Sequence, residues 1–150
     1  MGDRASAVTR TVQLPCACAN LRRAARAVTQ LYEDQLRNSG LRVTQFTLLQ
    51  VLEITGTISQ GAMGDLLALD STTLTRTLGM LVRRGWVKSI AGSDRRVRNF
   101  QLTAAGHREL ERARTQWERA QQRLRKALGD PGWERLQSDL VRVTEAAHNA

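Results

Sequence analysis

The chain has 150 residues with 41% hydrophobic content, enough for one domain with a real core, or for one compact lobe plus helices that need a partner. Against 14 Asp and Glu stand 23 Lys and Arg, and the formal charge of +9 points to an anionic partner, with nucleic acid first and an anionic membrane surface second. No apolar run approaches the ~20 residues that span a bilayer, and residues 1–13 lack the apolar core of a signal peptide, so a cytoplasmic location is expected.

Residues 1–13 show no sustained periodicity and read as a flexible arm. From Pro15 to about Arg37 the pattern predicts a helix: Pro15 suits its first turn, Gly40 suits its stop, and Cys18, Leu21, Ala25, Val28 and Tyr32 fall on one face. The two cysteines, Cys16 and Cys18, are too few for a disulfide framework. Two apart on a helix, they point to nearly opposite sides, which argues against a local disulfide or a shared metal. A second helix, capped by Thr44, carries Phe46, Leu48, Leu49, Val51 and Leu52 and is apolar on most sides, so burial is expected before it stops at Gly56. Thr57-Ile58 is long enough only for a third strand against a later hairpin.

Gln60 to Leu67 predicts a short helix with Met63, Leu66 and Leu67 inward, followed by a turn at Leu69-Asp70. Asp70 or Ser71 then caps a helix running to Arg84, whose buried stripe is Leu74, Leu78, Leu81 and Val82. Ser71, Thr72, Thr73, Thr75 and Arg76 lie at its start and outward. Next, Trp86 to Ile90 alternates apolar and polar residues, as does Val97 to Leu102, with a charged turn from Gly92 to Arg96 between them. Two short helices and a hairpin in this order make a winged helix-turn-helix. The second helix enters a major groove, where the hydroxyls suit phosphates and Arg76 suits a base edge. In the turn, Asp94 can fix one guanidinium by a bidentate contact, leaving the other arginine for a phosphate or the minor groove. The alternative for the same charges is a solvated turn and a solvated helix face.

Two longer helices close the chain. Leu110, Ala113, Trp117, Ala120, Leu124 and Ala127 repeat at 3-4 spacing up to Gly129; Asp130 and Pro131 then start a helix in which Trp133, Leu136, Leu140, Val143 and Ala147 keep the same rhythm. Such stripes need partners, and a homodimer built from the first and last two helices is expected. The fold class is therefore mainly α with a small β-hairpin wing and about six helices. It divides into an arm (1–13), a helical dimerisation region (14–40 and 107–150) and a winged lobe (41–106).

From about Leu14 to Ala147 the chain resembles the MarR family of transcriptional regulators. The resemblance is carried by Asp70-Ser71-Thr72-Thr73-Leu74-Thr75-Arg76, by Leu81-Val82-Arg83-Arg84-Gly85-Trp86-Val87, and above all by Ser93-Asp94-Arg95-Arg96 followed by Leu102-Thr103-Ala104-Ala105-Gly106. It implies a homodimer on a near-palindromic operator, commonly a repressor released by a ligand or by oxidation. It also implies that Arg96 enters the minor groove with Asp94 as its orienter, a job Arg95 can share. The run from Cys18 to Tyr32 is similar to the first helix of the OhrR-type branch, which senses organic hydroperoxides through a cysteine at this position. Cys18 and Tyr32 share a face but lie ~21 Å apart along it, so they meet only across an antiparallel dimer contact. Further tyrosines of that branch are replaced here by Arg22 and Val43, and Arg22 offers a cation that lowers a thiol pKa.

The sensor candidates are thus Cys18, Cys16 as a resolving thiol across the dimer, Tyr32 and Arg22. Against them stands a Cys18 that is merely a small buried hydrophobe. The alternative signal is a small anionic or aromatic effector in a cleft lined by Arg22, Arg23, Arg26, Tyr32 and Phe46. His107 reads as a surface residue of its helix, no metal constellation stands out, and no cofactor is expected. An enzyme fits poorly, since no nucleophile-base-orienter set or glycine-rich phosphate loop is present, which leaves a thiol peroxidase at Cys18 as the one enzymatic option. A basic nucleic-acid-binding or adaptor protein without sequence preference is the third class.

Overall fold

The computed structural model describes residues 12–92, 94 and 96–150, and contains six helices and one three-stranded sheet among them. Helix α1 spans Ala17–Leu36 and ends through a 3-10 turn, Arg37–Ser39, at Gly40 with φ 77°. Pro15 lies outside it, because the segment before the helix is tied down differently from a first helical turn. Asn20 accepts from the Leu14 N–H at 3.1 Å and donates to the Leu14 and Cys16 carbonyls at 2.7 and 3.1 Å, holding residues 14–16 against the helix start. Of the predicted apolar face of α1, only Val28 and Tyr32 are partly covered, while Cys18, Leu21 and Ala25 are exposed.

Helix α2, Val43–Thr55, starts one residue before Thr44. Its first turn is satisfied by Gln45, which accepts from the Arg42 N–H, and by Glu33 of α1, which accepts from the Val43 N–H. As expected, Phe46, Leu48, Leu49 and Leu52 are buried and form the centre of the core. Strand β1, Thr57–Ser59, leads into α3, Gln60–Leu67, where Ser59 accepts from the Ala62 N–H as the cap. Met63 is fully buried and Leu67, one turn on, packs partly against the core, but Leu66 between them is 61% exposed and lies off that stripe.

Helix α4, Ser71–Arg83, buries Leu74, Thr77, Leu78 and Leu81, whereas Val82 points outward. Strands β2, Val87–Ala91, and β3, Arg98–Leu102, form the hairpin, and β1 adds to the other edge of β3, giving the order β1-β3-β2 with every pair antiparallel. Phe100 and Leu102 on β3 and Val87 on β2 close the core from the sheet side. Helix α5, Ala104–Leu128, then crosses back over the lobe with Leu110, Ala113 and Ala120 buried and Trp117 stacked on Phe46, ring centroids 5.6 Å apart. Helix α6, Asp130–His148, folds back along α5 after Gly129 and has no buried residue.

The hairpin is fastened to α5 by three features in four residues. Thr103 accepts from the Gly106 N–H at 3.1 Å as the helix cap, its hydroxyl donates to the Gly85 carbonyl at 2.6 Å, and its N–H donates to the Trp86 carbonyl at 3.0 Å. A Cβ on Gly106 would lie 2.0 Å from the Trp86 oxygen, so the helix can approach the hairpin only with glycine there. Because backbone stands on both sides, neither can swing away as a side chain does. Gly106→Ala is expected to destabilise the protein by about 2 kcal/mol, the range for forced overpacking, and Thr103→Ala by about 1 kcal/mol through the lost cap. Urea unfolding checks both, and an unchanged midpoint in Gly106→Ala would mean the joint yields freely.

Candidate nucleic-acid interface

The start of α4 is built by Asp70. Its carboxylate accepts from the Thr73 N–H at 2.8 Å and from the Thr73 hydroxyl at 2.6 Å, satisfying one donor that the helix start leaves open. These bonds, the side-chain bond to Thr73 foremost, hold the Asp70 carboxyl below the ordinary carboxylate range. Thr73 is thereby spent on the cap. Ser71, Thr72, Thr75 and Arg76 are all exposed on the outer side of the helix. Thr75 is not idle, since Gln60 of α3 donates to its hydroxyl oxygen at 2.7 Å.

In the wing, Asp94 acts on backbone: its carboxylate accepts from the Arg96 N–H at 2.9 Å, and its carbonyl accepts from the Val97 N–H at 3.0 Å. Asp94 thus makes a turn contact with Arg96 through the peptide N–H, and among the described residues it has no contact to a guanidinium. The physical reason is local. An Asp two residues before a free N–H closes such a turn with its short side chain, which competes with any longer-range pairing. Arg95 lies outside the described residues. Arg96 is exposed, and with Arg98, Ser71 and Gln60 it borders a cleft of 830 Å3 between α3, the start of α4 and the wing, closed at one side by His148.

A second cluster sits at the other end of the molecule. Cys16 and Cys18 are free and exposed, so Cys18 is not a buried hydrophobe in this chain. Cys16 is the residue before α1, with extended φ and ψ of −110° and 118°, and the helical-spacing argument for separating the two thiols therefore does not apply. Both line one groove of 450 Å3 with Arg22, Arg23 and Arg26. Arg23 is partly engaged, donating to the Val12 carbonyl at 2.7 Å. Tyr32 is elsewhere: its hydroxyl donates to Gln121 of α5 at 2.6 Å, and burial pushes its pKa above the ordinary value. With Phe46 and Trp117 it lines a separate cavity of 140 Å3. The cleft expected from Arg22, Arg23, Arg26, Tyr32 and Phe46 is thus two sites, because half of α1 projects beyond the lobe.

His107 is on the surface as expected, with Nδ1 3.9 Å from Glu53, whose carboxylate also accepts from Arg114 at 2.9 and 3.1 Å. That ion pair joins α2 to α5, and together with Asn20 and Gln60 it is what the sequence reading missed. Asn20 and Gln60 each lie in the first turn of a helix, where side-chain amides have free backbone or neighbouring groups to bind; only that position hinted at them.

A sequence profile of the MarR family matches residues 41–97, the winged lobe. The fold is that of the transcriptional regulator MosR from M. tuberculosis, solved in complex with DNA, at 35% identity over 89% of this chain and 97% of that one, with a TM-score of 0.79. The chain belongs to the MarR family. A second relative of this MarR-family protein is the uncharacterized HTH-type transcriptional regulator YwoH of Bacillus subtilis (strain 168), 29% identical over 91 residues, 61% of this chain and 66% of that relative. A cysteine-to-serine variant of MarR from E. coli, complexed with operator DNA, shares the fold with a TM-score of 0.75 at 24% identity, covering 83% of this chain and 91% of that one. As a MarR-family transcriptional regulator the chain carries a DNA-binding winged helix, in which α3 and α4 are the helix-turn-helix and β2–β3 the wing.

Because the folded Asp70 carboxyl titrates below its unfolded value, its cap is complete above about pH 4 and is lost as the pH falls through the lowered value. Asp70→Ala is expected to remove hydrogen-exchange protection from the Thr73 amide at neutral pH. Wild type should lose that protection only in strongly acid solution; equal protection in both proteins at pH 7 would contradict the capping role.

Proposed function

We propose that the protein is a homodimeric regulator, acting as a repressor in the cytoplasm, that reads a near-palindromic operator with α4 in the major groove and the wing in the adjacent minor groove of each half-site. The observation that carries this reading is the shared cleft. Ser71 at the start of α4 and Arg96 on the wing border the same open face, so a duplex lying across it meets both. Ser71 and Thr72 suit phosphates, where the helix start also favours negative charge, and Arg76 suits a base edge. Arg96, turned outward by Asp94, suits the electronegative minor groove, with Arg95 beside it in sequence. That M. tuberculosis MosR, 35% identical to this chain, is solved in complex with DNA supports a DNA-binding role.

Dimerisation is supported by what a single chain leaves uncovered. Leu140, Val141 and Val143 of α6 are 43%, 58% and 44% exposed, and Leu21 of α1 is 40% exposed. A two-fold contact between copies of these helices removes that apolar area from water. The competing reading is a basic protein that uses its charge without reading bases. Arg96→Ala separates the two: operator affinity is expected to fall about tenfold or more at fixed salt by fluorescence anisotropy, with the dimer intact by light scattering. Wild-type affinity in Arg96→Ala would sink the wing assignment, and equal binding of all duplexes would favour the competing reading.

For the releasing signal, the groove favours the thiols. Cys18 is exposed in a groove that it shares with Arg22 and Arg26. The thiolate sulfur attacks the terminal oxygen of an organic hydroperoxide; an S–O bond forms, the O–O bond breaks, Cys18 becomes a sulfenic acid, and the alkoxide leaves as the alcohol after taking a proton from water. Cys16 of the other subunit is the candidate resolving thiol, and an anionic effector is the other occupant this groove suits. The Tyr32–Phe46 cavity, at 140 Å3, is below the ~300 Å3 where ligand pockets begin, so an aromatic effector there is the weaker reading. Organic hydroperoxide is expected to abolish operator binding by wild type and leave Cys18→Ser bound. Identical responses would remove Cys18 as the sensor, and repeated turnover with a thiol reductant would favour a peroxidase instead.

A further inference from the structure

Among the hydrogen bonds of the winged lobe, one crosses between the two helices of the motif on their outer side. Gln60, the first residue of α3, is half-buried and borders the 830 Å3 cleft, and its amide is 2.7 Å from the hydroxyl oxygen of Thr75. Thr75 is exposed, one helical turn beyond Ser71, on the part of α4 that meets base edges in such motifs. We propose that Gln60 and Thr75 form a composite reader of a single base pair and that the base they select is adenine. The inference rests on the DNA-reading role of α4 proposed above.

The selection follows from what the bond leaves over. With the amide N–H donating to Thr75 Oγ1, the threonine O–H is free to donate outward and Gln60 Oε1 is free to accept. With the amide turned, the threonine O–H donates to Gln60 Oε1; the Thr75 oxygen then keeps a free acceptor site and the amide nitrogen keeps its donors. In both cases the pair offers one donor beside one acceptor. Within one base, adenine alone matches that pattern in the major groove, with N7 accepting and the N6 amino group donating. Guanine offers two acceptors, thymine an acceptor and a methyl group, and cytosine a donor. Fixing the threonine from a second helix also removes rotamer freedom before binding, which favours discrimination over general affinity.

A brace between helices that touches no base would show the same bond, so the test reads base preference rather than affinity alone. Wild type, Gln60→Ala, Gln60→Glu, Thr75→Val and the double variant Gln60→Ala/Thr75→Val are each used to select duplexes from a randomised pool at fixed salt, with thermal unfolding recorded for each. Wild type is expected to prefer adenine about tenfold at one position of each half-site. Gln60→Ala and Thr75→Val should flatten that position alone, and the double variant should bind no worse than either single one. Gln60→Glu keeps a partner for the Thr75 hydroxyl but can only accept, so its preference should move to cytosine, an outcome that a purely structural brace cannot give and that remains readable if Gln60→Ala is unstable. Site selection by wild type without such an adenine, or an unchanged preference in Gln60→Ala and Gln60→Glu, overturns the composite reader while leaving the winged-helix reading intact. Selection of no site at all by wild type overturns both.

Discussion

The position of everything that would touch DNA depends on the contact between Gly106 and the Trp86 carbonyl. Wing and recognition helix meet at this point: Trp86 lies between α4, which ends at Arg83, and β2, which starts at Val87, while Gly106 is in the first turn of the 25-residue helix α5. With no Cβ between them and Thr103 bonded to the Gly85 carbonyl and the Gly106 N–H, the hairpin base and the helix start share one set of hydrogen bonds. A tilt of α5 therefore carries the hairpin with it. Since α5 is roughly 37 Å long at 1.5 Å per residue, a small rotation near its far end becomes a displacement of several ångströms at the wing.

The same geometry explains which parts of the fold were legible in the sequence. Sequence pattern located the six helices and three strands, most of them through a stripe or an alternation that the core enforces, while β1 was marked by its shortness and α6 by a stripe the single chain leaves uncovered. Leu74, Leu78 and Leu81 on α4 and Phe100 and Leu102 on β3 are buried where the pattern puts them. Element starts were less legible: Pro15 and Thr44 have the right chemistry for a first turn, but the actual starts are set by Asn20 and by Glu33 reaching in from another helix. Contacts of that kind join residues that no short-range pattern connects. Leu66 and Val82 fail for a related reason, since apolar identity alone does not say how wide a stripe the neighbouring element can cover.

Within the candidate site, residue types were legible and their assignments were not. The hydroxyl-rich start of α4 is exposed, yet Thr73 serves the cap and Thr75 serves Gln60. Asp94 was marked as the orienter of Arg96 and does touch it, through the backbone N–H instead of the guanidinium. For Asp70 and Asp94 a short carboxylate beside a free peptide N–H takes the local partner, which costs little conformational entropy, whereas Thr75 is bonded from another helix. The sensor residues divided for a different reason. A helix face is continuous in sequence but not in environment, and α1 leaves the lobe midway, so Tyr32 is packed against α5 while Cys18 stands in an arginine-lined groove.

That division sets the condition any thiol signal has to meet. The distance from Cys18 to Tyr32 is about 21 Å along a helix that transmits displacement but has no local hinge among its glycine-free residues. Within one chain, the route from the groove to the wing passes down α1, through the Tyr32–Gln121 bond and the packing of α1 on α5, and along α5 to Gly106. Every step is between packed or hydrogen-bonded groups, so under the proposed sensor role a change at the thiols would act on the wing by moving α1 as a rigid rod rather than by unfolding it. In a dimer joined through α1 and α6, that motion changes the spacing of two wings at once, and spacing is the quantity a palindromic operator measures.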